Sequence, residues 1–131
     1  MTGVQRYTSG LPREDAVGYS RAVAVGPLCF VSGTTAIVDG VVHHEGDPYK
    51  QTVTAFTVAV QALTELGFTR EDVVRTRMYA LHTRDLEDIG RAHKDFFGEV
   101  RPAATMLCVA RLADPRMLVE VEVDAYREGR S

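Results

Sequence analysis

Hydrophobic and polar residues alternate along 119–124, with Val119, Val121 and Val123 on one parity and Glu120, Glu122 and Asp124 on the other. Side chains of a strand point alternately to its two faces, so the pattern predicts a strand over 117–126 with one apolar and one acidic face. Residues 73–81 repeat it, placing Val74, Thr76 and Met78 together and Arg75, Arg77 and Tyr79 opposite. Two short β-rich runs, 21–25 and 28–32, flank Gly26-Pro27 and predict a hairpin, and a further strand is predicted over 102–110. Asp39-Gly40 is a second turn signal suited to positive φ.

A different period governs the segment after Asp47-Pro48. Tyr49, Val53, Phe56, Val60 and Leu63 recur at three- and four-residue spacing, which predicts an amphipathic helix of about five turns. Asp47 is a suitable N-cap, Pro48 suits the first helical position, and Gly67 can stop the helix. Thr69-Arg70-Glu71-Asp72 caps a further turn. A second helix is predicted over 83–97, with Leu86, Ile89, His93, Phe96 and Phe97 on one face and Gly98 at its end. The order β-β-α-β-α-β-β, with room for extra hairpin strands, is an α+β layer of two helices packed on one sheet.

The chain has 131 residues, 45% hydrophobic and 25% charged, which suits a single domain spanning 1–131. A chain of this size buries roughly two thirds of its extended surface, so neither a disulfide nor a structural metal is needed. Cys29 and Cys108 lie in apolar runs and are both expected to be buried. The net charge of -3, from 15 basic and 18 acidic residues interspersed, offers no field for a nucleic-acid partner. The opening residues from Met1 to Arg6 lack the apolar core of a signal peptide, and no apolar run approaches about 18 residues, so no membrane partner and a cytoplasmic location are expected.

No phosphate-cradling glycine motif and no serine-hydrolase elbow is present. His43 and His44 are adjacent in a loop, only His82 and His93 remain, and no C-x-x-C occurs, so no metal and no cofactor is expected. His93 is expected to pack beside Phe96 and Phe97. Neither cysteine has the helix start or cationic neighbour that would make it a nucleophile. What remains are polar interruptions of apolar strands: Tyr19 before the hairpin, and Ser32 with Gly33 at its far end, where a glycine lets a ligand approach the backbone closely. Taken singly, each is better explained by ordinary turn chemistry. The sheet face with Arg75, Arg77, Glu120 and Glu122 is either a solvated face with cross-strand ion pairs or, since Leu118 and Tyr79 share it, a face covered at an oligomer interface or a binding cleft.

Seven segments in order, namely Gly18-Tyr19-Ser20-Arg21-Ala22-Val23, Val31-Ser32-Gly33, Asp47-Pro48-Tyr49-Lys50-Gln51-Thr52, Asp72-Val73-Val74-Arg75-Thr76, Phe96-Phe97-Gly98, Arg101-Pro102-Ala103-Ala104-Thr105 and Val119-Glu120-Val121-Glu122, resemble the Rid family. These are the reactive intermediate deaminases, also called YjgF-like and historically labelled L-PSP endoribonucleases. The resemblance implies a chorismate-mutase-like fold with a mixed sheet, and a homotrimer with small-molecule clefts between subunits. It puts Tyr19, Ser32, Gly33 and Glu120 on the family's site positions, Glu120 as the group that orients water for attack on an imine, with Thr105 in the neighbouring segment. The family's deaminases grip a substrate carboxylate with an arginine through two parallel hydrogen bonds. Ala104 stands in that arginine's place, and Gly90 in that of an asparagine on the second helix. Each lost charge-assisted bond costs roughly 1.5–3 kcal/mol, so deamination of 2-aminoacrylate is expected to be feeble. Arg77, or failing it Arg101, is the candidate replacement cation; the alternative for Arg77 is an ion pair with Glu120 or Glu122. Two functions follow from the resemblance, a hydrolase or deaminase of another imine or related small metabolite and a non-catalytic protein that binds a small molecule such as a carboxylate. An endoribonuclease follows only from the older label.

Overall fold

The computed structural model describes residues 3–130. Met1, Thr2 and Ser131, which include the ends of the expected 1–131 domain and the first residues of the start read as leaderless, lie outside the described residues. Strands β1 (Val4–Tyr7), β2 (Ala22–Val25), β3 (Leu28–Thr34), β6 (Val73–Ala80), β7 (Ala103–Cys108) and β8 (Val119–Tyr126) form one sheet in the order β1-β2-β3-β8-β6-β7. Only β6 and β7 run parallel, and the crossover this demands is supplied by helix α3 (Leu86–Phe97). Helix α2 (Pro48–Glu65) lies between β3 and β6 in sequence, and a short helix α1 (Pro12–Val17) precedes β2. Strands β4 (Ile37–Val38) and β5 (Val41–Val42) pair separately, joined by Asp39 and Gly40, both at positive φ as that turn requires.

The predicted mixed α+β sheet is present, with additions and shifted bounds. Helix α1 and strand β1 were not expected: six and four residues are too few for a period to register, although Pro12 marks the helix start. Residues Thr83–Asp85 form a tight 3₁₀ turn before α3 instead of its first turn. Strand β8 begins at Val119, two residues later than predicted, because the Leu118 N–H donates to the Gln51 side chain (2.8 Å). Strand β7 ends at Cys108, two residues short of the predicted Ala110.

Three burial expectations also need correction. The β6–β8 register shifts between Val73 and Arg75, so Val73 turns into the core and Val74, expected there, is exposed. Cys29 is fully buried, and burial pushes its thiol up to about 11, but Cys108 is exposed because β7 is an edge strand. In α2 the stripe against the sheet is Thr52, Ala55, Phe56, Ala59, Ala62 and Leu63, while Tyr49 and Val53 sit on its flank. The small residues of this stripe let the helix axis approach the sheet.

The core lies between the helices and Val119, Val121, Val123 and Ala125, all fully buried, with Met78 and Ala80 beside them. Phe56 of α2 meets Phe97 of α3 edge to face at 5.0 Å, and His93 packs against both, 5.6 Å from Phe56 and 5.2 Å from Phe97. The His93 Nε2 pairs with Thr76 Oγ1 at 2.8 Å, and burial holds its pKa below the usual imidazole value. Glu120, Glu122 and Asp124 project from the opposite side of β8.

Gln51, fully buried at the start of α2, donates to the carbonyls of His43 (3.1 Å) and Arg116 (2.9 Å) while accepting from Leu118. Three backbone segments therefore depend on one amide. Gln51→Ala is expected to destabilise the fold by about 1–3 kcal/mol, because the Leu118 N–H loses its buried acceptor. Urea unfolding checks this; an unchanged midpoint with unchanged slope would mean that water replaces all three bonds.

Candidate functional site

Arg21 enters β2 with its guanidinium buried. It donates from Nη1 to the Gly33 carbonyl (2.9 Å) and Thr34 Oγ1 (3.0 Å), and from Nη2 to the Tyr19 hydroxyl oxygen (3.3 Å). Its Nε lies 3.4 Å from the carboxylate of Glu14, which is also buried and accepts bonds from the Ser9 N–H and hydroxyl. One side chain thus ties α1, Tyr19 and the end of β3 together.

The end of β3 is irregular, its register against β8 shifting between Val31 and Thr34. Across it lies Glu120. A Cβ at Gly33 would fall 3.1 Å from Glu120 Cδ and overlap Oε2, so only glycine lets the carboxyl rest against the β3 backbone. Burial raises the pKa of Glu120 above the usual carboxylate value, and the negative Glu122 adds to the rise; Arg13 and Arg21 oppose it. No hydrogen bond contributes to this balance.

Glu120, Gly33, Tyr19 and Arg21 line a cavity of about 430 Å³, closed elsewhere by Leu11, Pro12 and Arg13 of the α1 region, the β4–β5 hairpin, Val58, Ala113 and Met117. A chamber of this size and mostly apolar lining suits a small organic molecule held by few polar groups. Among the described residues no three His, Cys, Asp or Glu side chains converge as a metal site.

Of the residues singled out from the sequence, the structure brings Tyr19, Gly33 and Glu120 together at this cavity. Ser32 lies beside it, its hydroxyl donating to the Ser20 carbonyl at 2.7 Å. Arg77 is elsewhere: its Nη1 bonds Asp124 (3.2 Å) and approaches Glu122 (3.7 Å), so the ion pair joins Glu122 and Asp124 and leaves Glu120 out. Tyr79 donates to Glu122 at 3.0 Å on the same face. Thr105, on β7, accepts from Arg75 Nη2 at 3.0 Å, and Ala104 beside it is exposed; neither lines the cavity. Arg101 borders a second cavity with His93 and Lys94. Arg13, Glu14 and Arg21 carried no role in the sequence reading. The helix-start proline at Pro12 was the available signal for the first two; Arg21, a charge at the mouth of an apolar strand, was the signal for itself.

Residues 12–127 match the endoribonuclease L-PSP family model. A Streptomyces coelicolor protein is 49% identical over 124 residues, covering 95% of this chain and 92% of that protein. A RutC family protein of Pyrococcus abyssi is 32% identical over 113 residues, 84% of this chain and 87% of that one. The crystal structure of a Mycobacterium tuberculosis member of the YjgF/YER057c/UK114 family superposes with a TM-score of 0.86 at 41% identity, covering 95% of this chain and all of that one (100%).

Because Glu120 has its pKa raised, the folded state holds its proton more tightly than the unfolded chain does. Stability therefore falls as pH rises from the usual glutamate range through the raised folded value, and stays lowered above it. Glu120→Gln removes the charge and is expected to melt higher than the wild type at neutral pH, the gap closing as pH falls below the ordinary glutamate range. Scanning calorimetry across that range is the check; a gap independent of pH would trace the gain to something other than ionisation.

Proposed function

The chain belongs to the endoribonuclease L-PSP family, also called the YjgF or Rid family, and within it we propose that this member is a small-molecule hydrolase acting on a carbon–nitrogen double bond in the cavity beside Glu120. The observation that carries this is the Glu120 carboxyl itself, half-buried, lifted in pKa and lining the cavity without a side-chain hydrogen bond to any described residue. A carboxyl poised nearer neutrality is a better proton carrier than an ordinary one, and an inert structural glutamate would be expected to hold a partner. In the proposed step water adds to the imine carbon, Glu120 takes the water proton, and the nitrogen receives a proton in turn. The carbon–nitrogen bond of the resulting carbinolamine then breaks, releasing ammonia and leaving a carbonyl. Tyr19, whose oxygen accepts from Arg21, keeps its own proton free to donate into the cavity.

A non-catalytic binding protein is the second reading, favoured by Ala104 where the family's deaminases carry their gripping arginine. The endoribonuclease of the older label is disfavoured, since the net charge of -3, from 15 basic and 18 acidic residues, offers no basic field for a phosphate backbone. The proposed assembly is a homotrimer in which β7 of a neighbour completes the cleft. Its support is the unpaired β7 edge, with Leu107 exposed, and the apolar exposure of Val25, Leu28, Phe30 and Tyr126. No helix of the described residues is long and apolar enough to cross a membrane.

Imines generated in situ by an amino-acid oxidase test the chemistry through ammonia release. Acceleration by the wild type and a roughly 10²–10⁴-fold loss in Glu120→Gln are expected, with little activity on 2-aminoacrylate. An active Glu120→Gln variant would remove Glu120 from the reaction, and an inert wild type that still binds small molecules would favour the binding protein. Sedimentation equilibrium is expected to give three times the 14.4 kDa chain mass; a stable monomer would exclude the shared cleft.

A further inference from the structure

We infer that Arg13 is the anion anchor of the cavity, gripping the carboxylate of an amphipathic ligand whose bulky apolar part lies against Leu11, Pro12, Ile37, Val58 and Met117. This rests on the proposed function insofar as both need a ligand beside Glu120, and it adds which side chain holds that ligand and what shape it has.

Among the described residues of one subunit, two cations line the cavity, Arg13 and Arg21. Arg21 is buried and already bonded to Gly33, Thr34 and Tyr19 and paired with Glu14. A ligand carboxylate could recruit it only by breaking that framework. Arg13 is exposed and makes no hydrogen bond or ion pair with any described residue. It is also the stronger of the two cations acting on Glu120, so its charge is felt where the ligand would react. The cations outside the cavity are committed or remote: Arg77 to Asp124 and Glu122, Arg75 to Thr105, and Arg101 at the second cavity.

Arg13 is held in place by its neighbour. Glu14 points inward to Arg21 and fixes α1 to the end of β3, and Arg13, the residue before it on the helix, lines the cavity. An exposed arginine on a pinned helix can meet a carboxylate through two parallel bonds without burying its charge beforehand. Much of the remaining lining is apolar, and about 430 Å³ is far more than a three- or four-carbon acid fills. A ligand that satisfies both ends carries one carboxylate and an aromatic or branched group.

The probes are phenylpyruvate, 2-oxobutyrate and the uncharged ketone phenylacetone, titrated calorimetrically into the full-length assembled protein. The wild type is expected to bind phenylpyruvate at least roughly tenfold tighter than either other probe, as one charge-assisted pair and a filled apolar wall each allow. Arg13→Gln is expected to lose roughly 10–100-fold for phenylpyruvate and less than about twofold for phenylacetone, whose binding doubles as the folding control. Arg13→Lys is expected to recover part of the loss, a point charge replacing the fork. Undiminished phenylpyruvate binding by Arg13→Gln, or equal wild-type affinity for phenylpyruvate and phenylacetone, would overturn the anchor while leaving a ligand-binding cavity in place. A preference for 2-oxobutyrate would overturn the bulky ligand. Failure of all three probes to bind at about 10 mM, where a millimolar Kd registers, would overturn the anchor and the cavity's ligand-binding role together.

Discussion

A guanidinium removed from water must find acceptors within the protein, and Arg21 finds them in the Gly33 carbonyl, Thr34, Tyr19 and, through its charge, Glu14. The other half of that pair is bound by the same constraint, since Glu14 is equally buried and draws Ser9 toward it. A buried ion pair of this kind contributes little net stability once desolvation is counted, but losing one partner strands the other. Its effect here is geometric. It fixes a six-residue helix that could not persist alone, sets the Tyr19 hydroxyl, and holds the irregular end of β3 against β8.

With that frame fixed, the Glu120 carboxyl acquires its properties from what surrounds it. The backbone of Gly33 lies too close for any side chain, water is partly excluded, and Glu122 two residues on adds a like charge. The remaining acidic residues on the same side of β8 are treated differently. Glu122 and Asp124 share Arg77, and Glu122 also accepts from Tyr79, so one strand face holds both a neutralised network and a carboxyl left without a bond. Divergent environments on one strand are a common way for a protein to set one carboxyl aside for chemistry.

Much of this was legible in the chain. Period-two alternation located β6 and β8 and told their faces apart, because a half-buried strand leaves no other pattern. Asp47-Pro48 marked the start of α2 correctly, and the Asp47 side chain accepts from the Lys50 N–H as an N-cap should. Gly33 was expected to let a ligand approach the backbone; the group that lies against it is Glu120 of the same chain. The exposure of Val74 and Cys108 was not legible. The first follows from a register shift and the second from a strand's place at the sheet edge, and both are properties of pairing that a single strand's sequence does not contain. Of the stripe expected on α2, Phe56 and Leu63 are fully buried, but its alanines were missed because alanines facing a sheet carry a weak hydrophobic signal yet pack closest.

Local sequence determined most of the longer elements and which side of β8 meets the helices, because periodicity and turn chemistry act over a few residues. It also determined the absence of an arginine at position 104. Only the tertiary structure decided which arginines are committed and which cavity-lining one is left uncommitted among the described residues. The linear chain pointed to Arg77 and gave Arg13 no role, but Arg77 finds Asp124 and Glu122 across a strand pair, whereas Arg13 meets no carboxylate among the described residues. A charge is paired or free according to what lies within about 4 Å of it, and for residues far apart in sequence that distance exists only once the chain has folded.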